Sequence, residues 1–505
     1  MSTESPRLLH DIVASRAATA PDAPALRFND EVLDYATLWR NSSQVAQRLA
    51  RTGEPGDRIA LLAWNCNEFV EMIYGVPAAG RVLVPLNARL APAELAYQLQ
   101  HSRATTLVGE QALVDALLEH PDTPADLEVV ILGDHYRSWR DDHDGCPLPS
   151  SQPEDPSWLL FTSGSTGRPK AAILTHASFL AGLASAALGR PVLPGDRYFY
   201  PFPLFHVAAH NVLLQHLYGA EVVLAKSFNA AETLAACRDL QVTTMSLAPT
   251  MIAMLMQEPD FSPADLAPVR TIGYGASAMP LTLLERLLNE TDVGLCQSYG
   301  MTELSGSVAF LTVKDHRAAT QGKSHLLASV GKVLPTAEIQ LVSDDGGVVS
   351  QGDPGEILVR AGQCMAGYWH DEEKTAEALA GGWLHTGDIG RFDEEGYLYI
   401  IDRKKDMILS GGENVASREV EEVLRQHDGI TDCAVIGLPD ERWGETVCAV
   451  LVTRSYTTDD ILEQFCREHL AGYKTPRRWF RVETLPLNAS GKVDKPALRR
   501  KFQQD

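Results

Sequence analysis

Short apolar segments alternate with helix-like segments from residue 33 to residue 298, and few folds accommodate such an alternation. Residues 33–52 carry apolar positions at helical spacing, and residues 58–63 form a continuous apolar run. Strands and helices at this spacing are typical of βαβ units that build a parallel sheet. The alternation recurs at 67–79, 82–86, 105–108, 128–132, 207–219, 221–224, 270–275 and 293–298. The sequence therefore predicts an α/β fold of stacked, mostly parallel sheets.

The pattern changes near residue 329, where the apolar runs become shorter and Gly-rich turns separate them. These runs predict a small antiparallel sheet or barrel, and they comprise residues 330–333, 337–342, 347–349 and 355–360. A strand at 396–401 then enters the charged segment 402–406, which is a candidate inter-domain hinge. We therefore predict a large N-terminal domain, 1–402, that contains a β-rich subdomain at about 329–402.

The remaining residues, 403–505, predict a small, mobile α+β domain at the C-terminus. Its expected elements are a helix at 417–426, strands at 432–437 and 446–452, and a helix at 458–470. Ser417 stands where a side chain could cap the first of these helices, since serine is a favoured N-cap residue.

The charge balance limits the classes of partner. The 505 residues include 44 Lys and Arg against 66 Asp and Glu, which gives a formal charge of −22. Bulk charge therefore disfavours binding to nucleic acid or acidic membranes. Eight dispersed cysteines without a C-x-x-C pair, and an N-terminus without an apolar signal segment, predict a cytoplasmic protein. The uncharged segments 171–189 and 198–220 predict buried elements rather than membrane spans.

The most informative motif is Trp158-Leu-Leu-Phe-Thr-Ser-Gly-Ser-Thr-Gly-Arg-Pro-Lys170, in which an apolar strand ends in a loop rich in hydroxyl groups. Glycine lets backbone N–H groups approach phosphate oxygens, hydroxyl groups donate hydrogen bonds, and lysine adds positive charge. The segment does not match the Walker A pattern. We predict a phosphate-binding loop that consists of Thr162, Ser163, Gly164, Ser165, Thr166, Gly167 and Lys170.

This loop resembles the phosphate-binding signature of the acyl-adenylate-forming superfamily, which includes acyl- and aryl-CoA synthetases and nonribosomal adenylation domains. Further motifs similar to those of the superfamily follow in order over essentially the whole chain. They are Tyr299-Gly-Met-Thr-Glu303, Trp383-Leu-His-Thr-Gly-Asp388, Asp402-Arg-Lys-Lys-Asp406, Ser410-Gly-Gly-Glu-Asn414 and Asn488-Ala-Ser-Gly-Lys492. The chain departs from the usual pattern at Ala171, where glycine normally follows the loop lysine, and at Ala416-Ser417, where Tyr-Pro is usual.

The resemblance implies roles for residues around the nucleotide. The residue matching Glu303 holds Mg²⁺, the one matching Thr302 contacts phosphate, and the one matching Tyr299 packs on adenine. Asp388 matches an aspartate that accepts the ribose hydroxyls, and Arg403 matches its partner. The implied ATP- and AMP-binding set also includes Gly275, Ala276, Ser298 and Gly300.

The resemblance also assigns residues to the two half-reactions. Lys492 matches the lysine that stabilises the charge of the adenylate-forming transition state. Lys405 matches the hinge about which the small domain rotates before thioester formation. The segment implied to line the CoA channel consists of Ser410, Gly411, Gly412 and Glu413.

His206 matches a residue beside the reacting carboxylate of the acid. His206 and His210 stand at the spacing of a helical metal pair, but no carboxylate accompanies them between residues 198 and 220, so we do not predict a metal there. The implied acyl pocket consists of His206, Val207, His210, Tyr274 and Met301. Its segments 205–211, 273–279 and 298–306 contain no Lys or Arg, which favours a medium-chain fatty or aromatic monocarboxylic acid over a dicarboxylic acid.

The sequence therefore predicts an AMP-forming acyl-CoA synthetase whose small-molecule partners are a carboxylic acid, ATP with Mg²⁺, and CoA. Two alternatives stay open: an adenylating enzyme that loads a carrier protein, and a non-catalytic sensor of acyl groups or nucleotides on the same fold. An amino-acid adenylation domain carries aspartate where His206 stands here. We expect no nucleic acid and no integral membrane association, and a homodimer is left open.

Overall fold

A computed structural model describes residues 5–143, 145, 148–162, 169–275, 279–410, 413–440, 442–454, 457–488 and 491–503. The strands are β1 (Pro24–Phe28), β2 (Glu31–Asp34), β3 (Arg58–Leu62), β4 (Val82–Pro85), β5 (Ala104–Gly109), β6 (Glu128–Ile131), β7 (Pro156–Thr162), β8 (Lys170–Thr175), β9 (Arg197–Tyr200), β10 (Glu221–Leu224), β11 (Thr244–Leu247), β12 (Thr271–Gly275), β13 (Gly294–Met301), β14 (Gly306–Leu311), β15 (Lys332–Val333), β16 (Ala337–Val342), β17 (Gly355–Ala361), β18 (Gly367–Tyr368), β19 (Leu384–Phe392), β20 (Leu398–Arg403), β21 (Ile408–Ser410), β22 (Glu413–Val415), β23 (Ile430–Asp440), β24 (Gly444–Thr453) and β25 (Arg478–Arg481).

The helices are α1 (Asp11–Thr19), α2 (Tyr35–Arg51), α3 (Asn67–Ala78), α4 (Pro92–Ser102), α5 (Gln111–Leu118), α6 (Asp134–Asp141), α7 (His176–Gly189), α8 (His210–Leu217), α9 (Ala230–Asp239), α10 (Pro249–Met256), α11 (Leu281–Glu290), α12 (Val313–Thr320), α13 (Glu372–Ala378), α14 (Ser417–Leu424), α15 (Asp459–His469) and α16 (Lys495–Phe502). Within the described ranges, no helix combines the length and the apolar composition needed to cross a membrane.

Two large sheets confirm the α/β prediction. One has nine strands in the order β15-β14-β13-β12-β11-β9-β10-β1-β2, and its interior pairs from β1 to β13 are parallel. The other has seven strands in the order β18-β8-β7-β4-β3-β5-β6 and is parallel from β7 to β6. Helices cover strands of this kind on both faces, which is why β4 and β10 are buried along their whole length.

The small sheet begins later than the sequence predicts. The expected strand at 330–333 is β15, but it pairs with β14 at the edge of the nine-stranded sheet. The small sheet itself has the order β16-β17-β19-β20, and residues 347–349 contribute only the isolated bridge of Val348 to Val342. Apolar content alone could not show which sheet a two-residue strand joins, because pairing depends on distant neighbours.

The chain forms two compact units. One comprises residues 1–339 and 359–384, and the other comprises residues 340–358 and 385–505. Strands β23 and β24 of the second unit pair along their length, and α14 and α15 pack against one face of their sheet. The predicted boundary at residue 402 concerns which part of the chain rotates during catalysis, and it stays a prediction.

The start of α14 corrects one expectation from the sequence. Ser417 does not cap the helix: the N-cap residue is Ala416, and no side-chain cap is formed there. Instead, the backbone N–H and the hydroxyl of Ser417 donate to Asp402 Oδ2 at 2.5 and 2.7 Å. The carboxylate of a residue before the helix therefore satisfies its first turn, and negative charge is favourable there.

Candidate active site

The two ends of the predicted phosphate loop meet at one edge of the seven-stranded sheet. Thr162 ends β7 and pairs in register with Lys170, which begins β8. The loop residues Ser163, Gly164, Ser165, Thr166 and Gly167 lie outside the described residues, as do Ala276, Gly411 and Gly412. The structure thus fixes the two anchoring positions of the loop.

Glu303 is a buried carboxylate at this edge. It lies in the short 3₁₀ helix Thr302–Leu304, and only 7% of its surface is exposed. Its Oε1 accepts hydrogen bonds from the Tyr368 hydroxyl at 3.0 Å and from the Thr162 hydroxyl at 3.4 Å. The carbonyl oxygen of Glu303 accepts from the backbone N–H of Met365 at 2.8 Å, so its main chain is also held in place.

Tyr368 links this carboxylate to the loop lysine. Its ring lies 4.9 Å from the ammonium nitrogen of Lys170, a distance at which cation–π attraction is effective. Burial, and then the negative charge of Glu303, raise the pKa of Tyr368. The hydroxyl therefore stays protonated and donates to Glu303 at any working pH.

The donor set fits a magnesium ion that is held mainly by phosphates and water. Both hydrogen bonds that the described residues donate to the Glu303 carboxylate go to Oε1, so Oε2 is the oxygen that would face a cation. Mg²⁺ in nucleotide sites takes one or two protein oxygens and completes its shell with phosphates and water. No cluster of three His, Cys, Asp or Glu side chains occurs in the described part of the chain, so an all-protein cage is not formed there.

Strand β13 leads directly to Glu303, and glycine is required beside it. A Cβ at Gly300 would overlap the carbonyl oxygen of Gly306 on the adjacent strand. A Cβ at Gly275 would lie 2.7 Å from the carbonyl oxygen of Ser298. Tyr299 is half-buried between these close contacts. Side chains at both glycines would therefore push apart the strand ends where open α/β sheets place their ligands.

A cavity of about 150 Å³ lies behind this edge, inside the first unit. Four of the five predicted acyl-pocket residues line it, namely Val207, His210, Tyr274 and Met301. The predicted nucleotide residues Gly275, Ser298 and Gly300 line it as well. The remaining acyl-pocket candidate, His206, is not among the described lining residues, and its ring packs on Phe205 at 4.8 Å.

Two histidines of this region are buried and hydrogen-bonded to neighbouring groups. Burial lowers the pKa of His210 and of His216 to about 4, so both rings are neutral at pH 7. His210 Nδ1 pairs with the carbonyl oxygen of Val207 at 2.9 Å. His216 contacts the Tyr74 hydroxyl and the carbonyl oxygen of Ala25 through its two nitrogens.

Two residues of the site escape the sequence analysis. Tyr368 belongs to no recognised motif, and β18 is only two residues long. Arg190 lines the cavity although it lies outside the three segments expected to form the pocket. A signal for Arg190 exists in the sequence, because it is the charged residue that ends the uncharged segment 171–189.

The second unit contains the other predicted residues. Asp388 and Arg403 pair in register on β19 and β20, and the Arg403 Nε lies 2.6 Å from the Asp388 carboxylate. Lys405 is exposed in the 3₁₀ helix Lys404–Asp406. Lys492 is exposed, and its carbonyl oxygen accepts a hydrogen bond from the Asn488 backbone N–H at 2.7 Å.

The two predicted CoA residues of this unit differ in exposure. Ser410 is buried, and its hydroxyl accepts a hydrogen bond from Arg477 at 3.2 Å. Glu413 is exposed on β22. Ser410 therefore has a structural partner, while Glu413 faces solvent.

Comparison with known proteins matches both parts of the chain. The AMP-binding enzyme family matches residues 13–369, and the AMP-binding enzyme C-terminal domain matches residues 419–492. The chain belongs to the AMP-binding enzyme family. It lies in the CoA ligase branch of the acyl-adenylate-forming superfamily, and it is an AMP-forming acid–thiol ligase that uses ATP.

Three similar proteins illustrate the range of this family. The chain is 36% identical to a feruloyl-CoA synthase of an Amycolatopsis species over 96% of the chain and 97% of that protein. It is 35% identical to a fatty acid–[acyl-carrier-protein] ligase of Streptomyces coeruleorubidus over 96% of the chain and 94% of that protein. The structure of the o-succinylbenzoate CoA synthetase of Bacillus subtilis with ATP and magnesium ion matches with a TM-score of 0.87 and 30% identity, covering 98% of this chain and 99% of that one.

Proposed function

We propose that this member of the AMP-binding enzyme family joins a small carboxylic acid to the thiol of CoA in two half-reactions. MgATP first converts the acid to an acyl-adenylate and releases pyrophosphate. The thiol sulfur then attacks the acyl carbon, and AMP leaves as the thioester forms. Adenylation is needed because a free carboxylate is a poor electrophile, whereas AMP is a good leaving group.

One observation carries the proposal: the residues that line the cavity are followed directly in the sequence by Thr302 and the buried carboxylate of Glu303. Ser298, Gly300 and Met301 line the cavity, and Thr302 and Glu303 follow directly. An acid in the cavity would present its carboxylate beside a hydroxyl and a carboxylate. These groups suit the Mg²⁺–phosphate end of ATP, since hard cations prefer oxygen ligands.

The cavity volume favours a small acid. A volume of about 150 Å³ is comparable to an apolar protein cavity that holds benzene. Of the medium-chain fatty and aromatic acids that the sequence predicts, acids with a single ring therefore fit most readily. Tyr274 contributes to the wall, and its hydroxyl is held by His316 Nε2 at 2.8 Å.

The proposed roles of the polar residues follow from their surroundings. Glu303 would hold Mg²⁺ through its remaining carboxylate oxygen, and the metal would neutralise phosphate charge. Lys170 would contact the phosphates from the anchored end of the loop. Asp388 would accept the ribose hydroxyls, with its orientation fixed by Arg403. Lys492 would stabilise the negative charge that develops during adenylation.

The acceptor is the second part of the proposal. A similar protein loads an acyl-carrier protein, so a pantetheine thiol on a protein is the alternative to free CoA. Acyl-adenylate supplied to the enzyme should release AMP when CoA is added. Release that requires a carrier protein instead would favour the alternative.

The first half-reaction can be tested by exchange of labelled pyrophosphate into ATP. We expect exchange that depends on both Mg²⁺ and a single-ring carboxylic acid, with kcat/KM highest for acids of that size. The Glu303→Gln variant should lose the exchange, while the exposed-site variant Glu338→Gln serves as its matched control. A lack of exchange with every acid in the panel would contradict the proposed activity.

A further inference from the structure

Arg190 is a buried cation at the wall of the cavity. It is the C-cap residue of α7, and only 8% of its surface is exposed. Its Nη1 donates to the Ser246 hydroxyl at 2.8 Å and to the Met245 carbonyl oxygen at 3.3 Å. Its Nη2 donates to the Asn211 side-chain oxygen at 3.1 Å. The guanidinium is therefore fixed in one orientation by three neutral acceptors.

No carboxylate of the described residues forms an ion pair with this guanidinium. The neighbouring arginines differ: Arg270 pairs with Asp196 at 2.6 Å, and Arg197 pairs with Glu221 at 2.7 Å. A buried charge without an opposite charge is unfavourable unless a ligand supplies one. Among the described residues that line the cavity, Arg190 carries the charge at pH 7. His210 also lines it, but burial lowers the pKa of His210 to about 4, so its ring is neutral.

The sheet is built to accommodate the guanidinium. A Cβ at Gly273 of β12 would overlap the Arg190 Nη1, so a side chain there would displace the guanidinium. The Tyr198 ring lies 5.6 Å from the centre of the guanidinium and supplies an aromatic face.

Strand register places Arg190 at a distance from the reacting end of the cavity. Ser246, Gly273 and Cys296 stand side by side on β11, β12 and β13, and Arg190 lies at their level. Gly300 is four residues further along β13 than Cys296, which is about 13 Å at the rise of a strand, and Thr302 follows two residues later. Arg190 therefore lies too far away to contact the carboxylate that is activated at Thr302 and Glu303.

From this geometry we infer that the acid carries a second carboxylate, at the end opposite the one that is activated, and that Arg190 binds it. The inference rests on the proposed ligase function and replaces the predicted monocarboxylic acids with small dicarboxylic acids. A guanidinium matches a carboxylate through paired N–H···O bonds, and it provides the charge that the apolar cavity otherwise lacks. The sequence prediction of a monocarboxylic acid used only segments that exclude Arg190.

The test compares acids of the same shape that differ in one charge. Terephthalate, its monomethyl ester and benzoate form one series, and adipate with hexanoate forms another. In acid-dependent pyrophosphate exchange, we expect the unaltered enzyme to favour the diacid in kcat/KM by about 10- to 100-fold, the range for a charged hydrogen-bonded group. Arg190→Met should remove this preference, and Arg190→Lys should retain part of it.

A second variant tests the same role of Arg190 in case Arg190→Met fails to fold. Gly273→Ala keeps the arginine but displaces its guanidinium, so it should also lose the preference for diacids. Arg286→Met, at an exposed arginine that pairs with Glu290 at 2.8 Å on α11, is the matched control and should leave the preference unchanged.

The outcomes separate the two proposals. Exchange with monoacids that equals exchange with diacids, and that Arg190→Met leaves unaltered, overturns the assignment of Arg190 but keeps the ligase function. An equal loss for monoacids and diacids in Arg190→Met also overturns the assignment, because the residue would then act through the fold. Failure of every acid to support exchange in the unaltered enzyme overturns both.

Discussion

Tyr368 shows how one hydroxyl can determine metal affinity. It donates to Glu303 Oε1 at 3.0 Å, and its ring contacts Lys170. Tyr368→Phe keeps the ring but removes the donor, so Glu303 loses orientation while Lys170 keeps its aromatic partner. We expect the Mg²⁺ concentration for half-maximal pyrophosphate exchange to rise about tenfold, as for the loss of other groups that orient a metal ligand. The exposed Tyr218→Phe is the control, and an identical Mg²⁺ dependence of the two variants would contradict this role.

Single residues were predicted where a short motif carries the chemistry. Glu303 and Lys170 stand in recognisable segments, so sequence alone could propose them. Tyr368 could not be proposed, because its hydrogen bond to Glu303 depends on the pairing of β18 with β8. Arg190 was missed for a similar reason, since its contacts with Ser246 and Gly273 come from strands far away in the sequence.

At the scale of elements, the 3₁₀ helix Lys404–Asp406 is the predicted hinge. Lys405→Pro leaves the carbonyl oxygen that accepts from Arg499 Nη2 at 3.4 Å, and the first turn of a helix tolerates proline. Proline restricts φ, however, so rotation about this segment should slow. We expect thioester formation from supplied acyl-adenylate and CoA to fall about tenfold or more, with pyrophosphate exchange retained. Lys405→Ala should keep both rates, and a loss of exchange in the proline variant would argue against a hinge.

Lys492 leads to the opposite prediction. Lys492→Ala removes the ammonium group but keeps the backbone N–H and carbonyl oxygen of this residue, which hydrogen-bond with the side chain and the backbone of Asn488. Pyrophosphate exchange should fall by at least about 100-fold, the usual effect of deleting a group that stabilises transition-state charge. Thioester formation from supplied acyl-adenylate should remain. Arg500→Ala, in the exposed last turn of α16, is the control. Equal loss of both half-reactions would refute this division of labour.

Elements were predicted best where a run of apolar residues has sharp ends. The bounds of β10 and β16 match the sequence prediction at both ends. The prediction was wrong for the sheet that β15 joins and for the cap of α14. In both cases a partner outside the segment decides the outcome: β14 for the strand, and the Asp402 carboxylate for the helix.

At the scale of the whole molecule, the sequence predicted a chain of several parts, and the boundary at residue 402 stays a prediction about which part moves. Residues 340–358 belong to the same compact unit as residues 385–505. A linear division of the chain cannot express this, because a segment can leave one compact unit and return to it later. The βαβ alternation, by contrast, is local in sequence, and the parallel sheets that it predicted are present.

Three buried histidines of the first unit make its stability depend on pH. Burial lowers the pKa of His176, His210 and His216 to about 4 each, whereas these rings in the unfolded chain bind protons near the ordinary histidine pKa of 6.5. Between pH 4 and pH 6.5 the unfolded state binds more protons than the folded state. The stabilisation from the three neutral rings is therefore complete above pH 6.5, and the free energy of unfolding decreases as the pH falls toward 4. Each histidine contributes a slope of about 1.4 kcal/mol per pH unit. Together they are substantial against a typical stability of about 5–15 kcal/mol.

The pH dependence of stability can be measured by urea unfolding between pH 7.5 and pH 5, with hydrogen exchange of the helices in the first unit as the probe of unfolding. The midpoint should fall steadily below pH 6.5. His176→Gln removes one titrating group while its side-chain oxygen can still accept from the Leu9 backbone N–H, so the slope should decrease by about one proton. The exposed His325→Gln should leave the slope unchanged. A midpoint that is constant over this range would show that the three rings become protonated without unfolding.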